Sequence, residues 1–343
     1  MTEKSKTKWA SGASAAALAV AIGFAAVPAA AQVEEIIVSA QKREESLLRV
    51  PVAVTTLGAG QLETFGNLID IQRIQALIPS LNFRRGSGNR ESALVLRGIG
   101  TISFSIAAEP AVATVIDGVV LSRSGQAFNE LADIARIEVL RGPQGTLFGK
   151  NASGGVINII SKKPADSPEA YMEASYFKGD EVRVKGSLSG PISDALKYRL
   201  NAFFGSFDGY IDNVLLNKRS HGYDRAGVRG MFEWSPTNTL TLTLIGDWME
   251  RNDNCCADLL SGPPADALNA LVLGGVSRGI ETRAINQDQP ANNSGDAYGL
   301  QLNGDLRVFG DHTITSISAF RVWEDDLLFD LDFGPNSAVS GPL

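Results

Sequence analysis

The 343-residue sequence has little from which to build a metal or catalytic centre. It holds two histidines, His221 and His312, and two cysteines, Cys255 and Cys256. A His/Cys cage cannot be assembled from that stock, and each histidine reads as an ordinary polar residue near a strand end. No nucleophile stands beside a base, and no acidic pair has a spacing that implies catalysis. An enzyme is therefore not expected, nor a metal, nor a cofactor. Positive charge is also short: the net charge is −7, so no basic face is available for phosphates and no nucleic-acid partner is expected. A spanning helix is missing too. The one long apolar run, Ala13 to Val27, is short and mostly alanine, whereas a spanning helix wants ~20 strongly apolar residues. Lys4, Lys6 and Lys8 precede that run, and Pro28-Ala29-Ala30-Ala31 follows it before Gln32. This is the three-part pattern of a secretory signal peptide, residues 1–31. The protein is thus expected outside the cytoplasm, and in a membrane only as β-strands. Export permits a disulfide. Adjacent cysteines close only a strained ring, so a Cys255–Cys256 bridge is not the default expectation, and the pair receives no role.

What is present is a two-residue rhythm after Ser167. In Glu181–Gly190, Val182, Val184, Gly186 and Leu188 alternate with charged or hydroxyl side chains. Arg225–Trp234, Thr239–Trp248 and Tyr298–Val308 repeat the pattern, and Lys197–Phe207 follows it loosely. Thr313–Val322 fits poorly, because Ile314 and Ile317 fall on opposite faces. Period two places one apolar and one polar face on a strand. Segments of ~10 residues of this kind, separated by turns, are the mark of a transmembrane barrel. Trp234, Trp248, Tyr298 and Trp323 lie near strand ends, where an interfacial girdle belongs. Pro191-Ile192-Ser193-Asp194 reads as a tight turn and Asn252 to Asn293 as a long loop. A soluble antiparallel sandwich also alternates. The charge on the polar face and the short and long connections favour the barrel.

Glu34-Glu35-Ile36-Ile37-Val38-Ser39-Ala40 directly follows the cleavage site. A β-prone segment in a flexible setting can add as a strand to another protein's sheet edge. Further on come Pro79-Ser80-Leu81-Asn82, Leu96-Arg97-Gly98-Ile99-Gly100 and Val115-Ile116-Asp117-Gly118-Val119. The run from Arg136 to Ile160 opens Arg136-Ile137-Glu138-Val139-Leu140-Arg141-Gly142-Pro143 and closes Val156-Ile157-Asn158-Ile159-Ile160. Its glycines suggest a phosphate loop but fail the test. Only Thr146, Leu147 and Phe148 separate Gly145 from Gly149, and Asn151 stands where Ser or Thr belongs. In this order the segments resemble the TonB-dependent outer-membrane receptors.

The resemblance implies a mainly β fold, with an α+β plug domain and then antiparallel strands of a barrel. Four regions are expected: signal peptide 1–31, TonB box and flexible linker 32–50, plug 51–164, and the N-terminal part of the barrel, 165–343. Family barrels have about 22 strands. The residues left here have room for roughly seven or eight, so the barrel is expected to be incomplete and the chain a truncated or partial receptor. The TonB box falls on Glu35, Ile36, Ile37, Val38, Ser39 and Ala40. Arg97 and Arg141 correspond to plug arginines that pair with acidic residues on the barrel wall and lock the plug. Substrate is expected at the plug apex, in Arg84–Glu91 (Arg84, Arg85, Asn89, Arg90) and Thr101–Glu109 (Ser103, Phe104, Glu109). The implied function is energised uptake of a scarce nutrient such as a ferric siderophore across the outer membrane. The implied partners are TonB with its inner-membrane energising complex, outer-membrane lipid and the small substrate. A secreted soluble β-rich binding module or adhesin is the alternative.

Overall fold

A computed structural model describes residues 36–64, 71–84, 86, 92–101, 105, 108–127, 133–255, 281–310, 312–330, 334–335 and 340–342. The chain divides into two compact units, Met1–Ile37 and Val38–Leu343. The expected signal peptide, Glu34 and Glu35 lie outside the described residues. The two largest β-sheets, both in Val38–Leu343, are of opposite character.

The first sheet has five strands: β1 (Val54–Gly58), β4 (Val112–Ile116), β5 (Val119–Val120), β6 (Ile134–Arg141) and β7 (Gly155–Ser161), in the order β1-β6-β7-β4-β5. A separate hairpin pairs β2 (Leu81–Arg84) with β3 (Ala93–Leu96). The sheet is covered on both faces, which is why its strands read as nearly unbroken apolar runs. On one face Leu57, Ile137, Val139, Ile157 and Ile159 pack against Ile74, Ile78 and Leu96. On the other, Leu140, Val156, Ala113 and Val115 pack with Phe148, Val38 and Ala40. Each such Ile or Leu, fully buried, stabilises the fold by about 1.5–3 kcal/mol. Gly155, φ +150°, is required by close approach: a Cβ there would run into the Leu140 carbonyl oxygen and Leu96 Cδ2.

The second sheet is an antiparallel meander of β8 (Glu169–Phe177), β9 (Glu181–Ser193), β10 (Leu196–Phe207), β11 (Gly222–Thr237), β12 (Leu240–Asn254), β13 (Asn292–Val308) and β14 (His312–Trp323). Both β14 and β15 (Asp326–Asp330) pair with β13, so they act as one strand interrupted at Glu324–Asp325; β15 then pairs with β16 (Ser340–Pro342). Among the described residues this sheet does not close. Its burial is inverted. Leu188, Leu200, Phe204, Val228, Leu244 and Leu300 are exposed, while Ser189, Arg199, Arg251 and Gln301 on the opposite face are buried. A soluble sandwich packs its apolar faces together. Here the apolar faces point away from the rest of the protein, as a lipid-facing wall requires.

The strands depart from the sequence expectations in four places. The turn expected at Pro191–Asp194 is tighter: β9 runs on through Ser193 with an irregularity between Pro191 and Ser193, and Leu196 pairs back onto Ser193. The ladder reaches further into the expected long loop, since Asp253 pairs with Asn293. Thr313–Val322, judged a poor fit, is regular strand. Trp323 does not join the outer girdle. It pairs with Ala297, and alternation puts it on the side of Arg321, whose guanidinium reaches Asp247 inside. Trp248 and Tyr298 are direct cross-strand neighbours on the outer face, and Trp234 sits opposite Leu242, nearer the short turns. Cys255 is disulfide-bonded and buried, contrary to the default expectation of no bridge.

Candidate functional site

The inner face of the second sheet holds the first in place through a few side chains. β4 and β5 pair Ile116 with Val119, leaving Asp117 and Gly118 as a two-residue turn. Their φ values are +47° and +88°. That is the geometry for which Asp-Gly is favoured in a hairpin. The turn points at the wall. Asp117 accepts hydrogen bonds from Ser161 N at 2.9 Å and Ser161 Oγ at 2.8 Å, which stiffens the carboxylate. Arg229 of β11 donates to the same carboxylate and, through Nη1, to Asp247 of β12 at 2.8 Å. Arg321 of β14 closes on Asp247 at 2.6 and 3.0 Å. Two guanidiniums thus balance two carboxylates. Gln301 Nε2 donates to the Asp117 carbonyl at 2.8 Å. At Gly118 an added Cβ would lie 2.6 Å from Ile317 Cδ1. This explains the irregular β14 pattern: Ile317 leaves the apolar face to pack on the turn.

A second fastening lies at Asp133. Arg199 of β10 holds it with both Nε and Nη2, the latter at 2.7 Å, and donates from Nη1 to Glu169 at 2.6 Å. Arg199 and Asp133 are both buried. Removing one partner of such a pair costs about 3–5 kcal/mol, because the other charge is left buried alone.

The apolar second face of the five-stranded sheet also carries a charge. Glu138 is 0% exposed and sits directly across the ladder from Asn158. It accepts from Arg136 Nε at 2.7 Å, Asn158 Nδ2 at 3.1 Å and Ser39 N at 2.8 Å. Ser39 Oγ donates to it as well, at 3.1 Å.

A domain fastened inside a wall whose oily face points outward is the arrangement of a plugged barrel. Residues 46–156 match the family model described as the TonB-dependent Receptor Plug Domain. These residues form a plug domain of the TonB-dependent receptor kind. The chain is 33% identical over 178 residues to the pesticin receptor of Yersinia pestis, covering 52% of this chain and 25% of that protein. Over 101 residues it is 39% identical to the ferrienterobactin receptor of Escherichia coli, covering 28% of this chain and 13% of that protein. The ferric yersiniabactin uptake receptor of Yersinia pestis superposes with a TM-score of 0.70 at 24% identity, over 81% of this chain and 42% of that one. The alcaligin outer-membrane receptor of Bordetella pertussis superposes with a TM-score of 0.60 at 20% identity, over 85% and 42%. The chain therefore spans 25% of the length of the pesticin receptors it matches.

The receptor's expected site residues are scattered. Ile36 and Ile37 are exposed, whereas Val38 and Ala40 are fully buried. Arg97 is exposed, with φ +53°, the first residue of a two-residue turn closed by the bridge between Leu96 and Ile99. Arg141 donates from Nη2 to Thr55 Oγ1 at 2.7 Å. Neither arginine makes an ion pair among the described residues. The plug–wall pairs that are described run the other way, from wall arginines to the plug carboxylates Asp117 and Asp133. Arg84 is exposed at the end of β2, and Glu109 pairs with Lys150 at 2.5 Å. Glu35, Arg85, Asn89, Arg90, Ser103 and Phe104 lie outside the described residues. Asp117, Asp133, Arg199, Arg229 and Glu138 received no role from sequence. Asp117 carried a readable signal in the Asp-Gly pair of a tight turn, and Glu138 one as the acid in a strand whose other charges are arginines.

Proposed function

We propose that this receptor works in energised uptake of a ferric siderophore across the outer membrane, with TonB and its inner-membrane complex supplying the work. The observation that carries the reading is the inverted wall, exposed in its apolar face and fastened through Arg229 and Arg199 to a plug. The names of its relatives, receptors for pesticin, enterobactin and yersiniabactin, supply the substrate class. In this reading the protein does no covalent chemistry. The loops 84–91 and 101–109 take the substrate. Arg97 and Arg141 take acidic partners on wall strands other than those described here, and Arg141 Nε is buried with no partner among the described residues.

Residues 35–40 act as the TonB box by strand addition. A peptide spanning Glu34–Ala40 is expected to bind the TonB C-terminal domain in a calorimetric titration. Ile37→Pro, which removes a main-chain donor, is expected to abolish binding. Equal binding by the proline peptide rules out strand addition.

A further inference from the structure

We infer that Glu138 is a latch that holds residues 38–40 in the plug and must let go before they can serve as an added strand. The inference rests on residues 35–40 being the box.

Val38 and Ala40 are 0% exposed and belong to the same apolar cluster as Leu140, Val156, Val115 and Phe148. Between them Ser39 meets Glu138, the fully buried carboxylate of that face. Its amide donates to Glu138 Oε1 at 2.8 Å, and its hydroxyl donates to Oε1 at 3.1 Å. Arg136 Nη2 donates to Ser39 Oγ at 3.2 Å, so the hydroxyl is held from both sides. The next turn is tightened by Lys42 N donating to Ser39 O at 2.9 Å, and the Lys42 ammonium lies 5.3 Å from the centre of the Phe148 ring. Residues 38–42 therefore form a strap over the second face of the sheet.

A strand added to another sheet needs its own amides and alternate side chains free. The strap has neither: the Ser39 amide is committed to Glu138, and the Val38 and Ala40 side chains are in the core. Glu138 differs from the other buried groups in what departure leaves behind. When Ser39 lifts, the carboxylate keeps Arg136 Nε and Asn158 Nδ2 as donors and gains water in the vacated groove. Release thus leaves no orphaned charge, which would be costly. The contact is strong in place and tolerable when broken, as a reversible fastening must be. Because the main-chain amide makes the closest contact to Ser39, Glu138 also fixes the register: only one residue of the strap can present its N–H there.

The test is hydrogen exchange of the whole chain in detergent micelles, comparing a peptide covering residues 38–44 with one covering β7. In Glu138→Gln the 38–44 amides are expected to exchange about tenfold faster or more, with β7 unchanged, because a neutral amide oxygen is a weaker acceptor than a charged carboxylate. Ser39→Ala, which keeps the carboxylate and the core intact, is expected to give a smaller rise of about fivefold. It also decides the matter if Glu138→Gln does not fold. Unchanged exchange at 38–44 in either variant overturns the latch. So does equal acceleration across β7, which would make Glu138 a general core residue. A Glu34–Ala40 peptide that fails to bind TonB removes the box reading and leaves the exchange result standing as a property of the strap.

Discussion

The plug sheet and the wall sheet are built from the same kinds of residues and bury opposite ones. In the plug, Ile137, Ile157 and Ile159 are completely enclosed; in the wall, Leu300, Val228 and Leu188 are more than half exposed and Arg199 and Arg251 are hidden. The plug follows the rule of water-soluble domains, with its few charges paired across the ladder or at a turn. The wall follows the opposite rule, and its paired charges face the plug. The two rules meet at Asp117 and Asp133, where charged wall meets charged turn and each guanidinium finds a carboxylate. Burial is thus decided by which neighbour a face meets, not by hydropathy alone.

The contrast is tested most forcefully by putting one substitution in both sheets. Ile157→Arg forces an unpaired charge into the plug core and is expected to cost more than about 4 kcal/mol, read as loss of the folded plug in thermal unfolding. Leu300→Arg is expected to cost about 2–4 kcal/mol in lipid bilayers. In water an exposed leucine replaced this way would change stability by no more than about 0.5 kcal/mol. A neutral Leu300→Arg in bilayers would make the wall an ordinary water-facing sheet. Next in size is Arg229→Ala at the boundary. It is expected to cost about 3 kcal/mol and to loosen the Asp117 turn, measured as faster proteolysis of the plug with the wall strands still protected. The smallest effect expected is that of Arg97→Gly. Relieving a left-handed arginine is expected to stabilise by about 1 kcal/mol. A loss of stability in this chain would place the acidic partner proposed for Arg97 among its own residues rather than on further wall strands.

Much of this was readable from residue order. The alternation of Val182, Val184 and Leu188 with Arg183 and Lys185 marked β9 as a strand with one oily face, and the run from Arg136 to Ile160 marked the plug. The turn at Asp117–Gly118, which was not read from the sequence, left a trace there in its Asp-Gly pair, because it depends on the conformational freedom of two adjacent residues. Trp323 misled, since a tryptophan near a strand end says nothing of which face it takes, and the register with Ala297 turned it inward. The irregularity of Ile314 and Ile317 counted against a strand until the packing of Ile317 on Gly118 gave it a cause. The fastening residues were illegible for a plainer reason: on a polar strand face every arginine looks alike.

Local order in the chain determined the strands, the turns and the kinship with the TonB-dependent receptors, because period, turn chemistry and motif spacing act over a few residues. Only the tertiary structure decided that Arg229 meets Asp117, that Arg199 meets Asp133 and that Ser39 meets Glu138. These partners stand 112, 66 and 99 residues apart. Which charges meet at such separations depends on strand register and on how the two sheets approach, and neither leaves a periodic trace in the sequence.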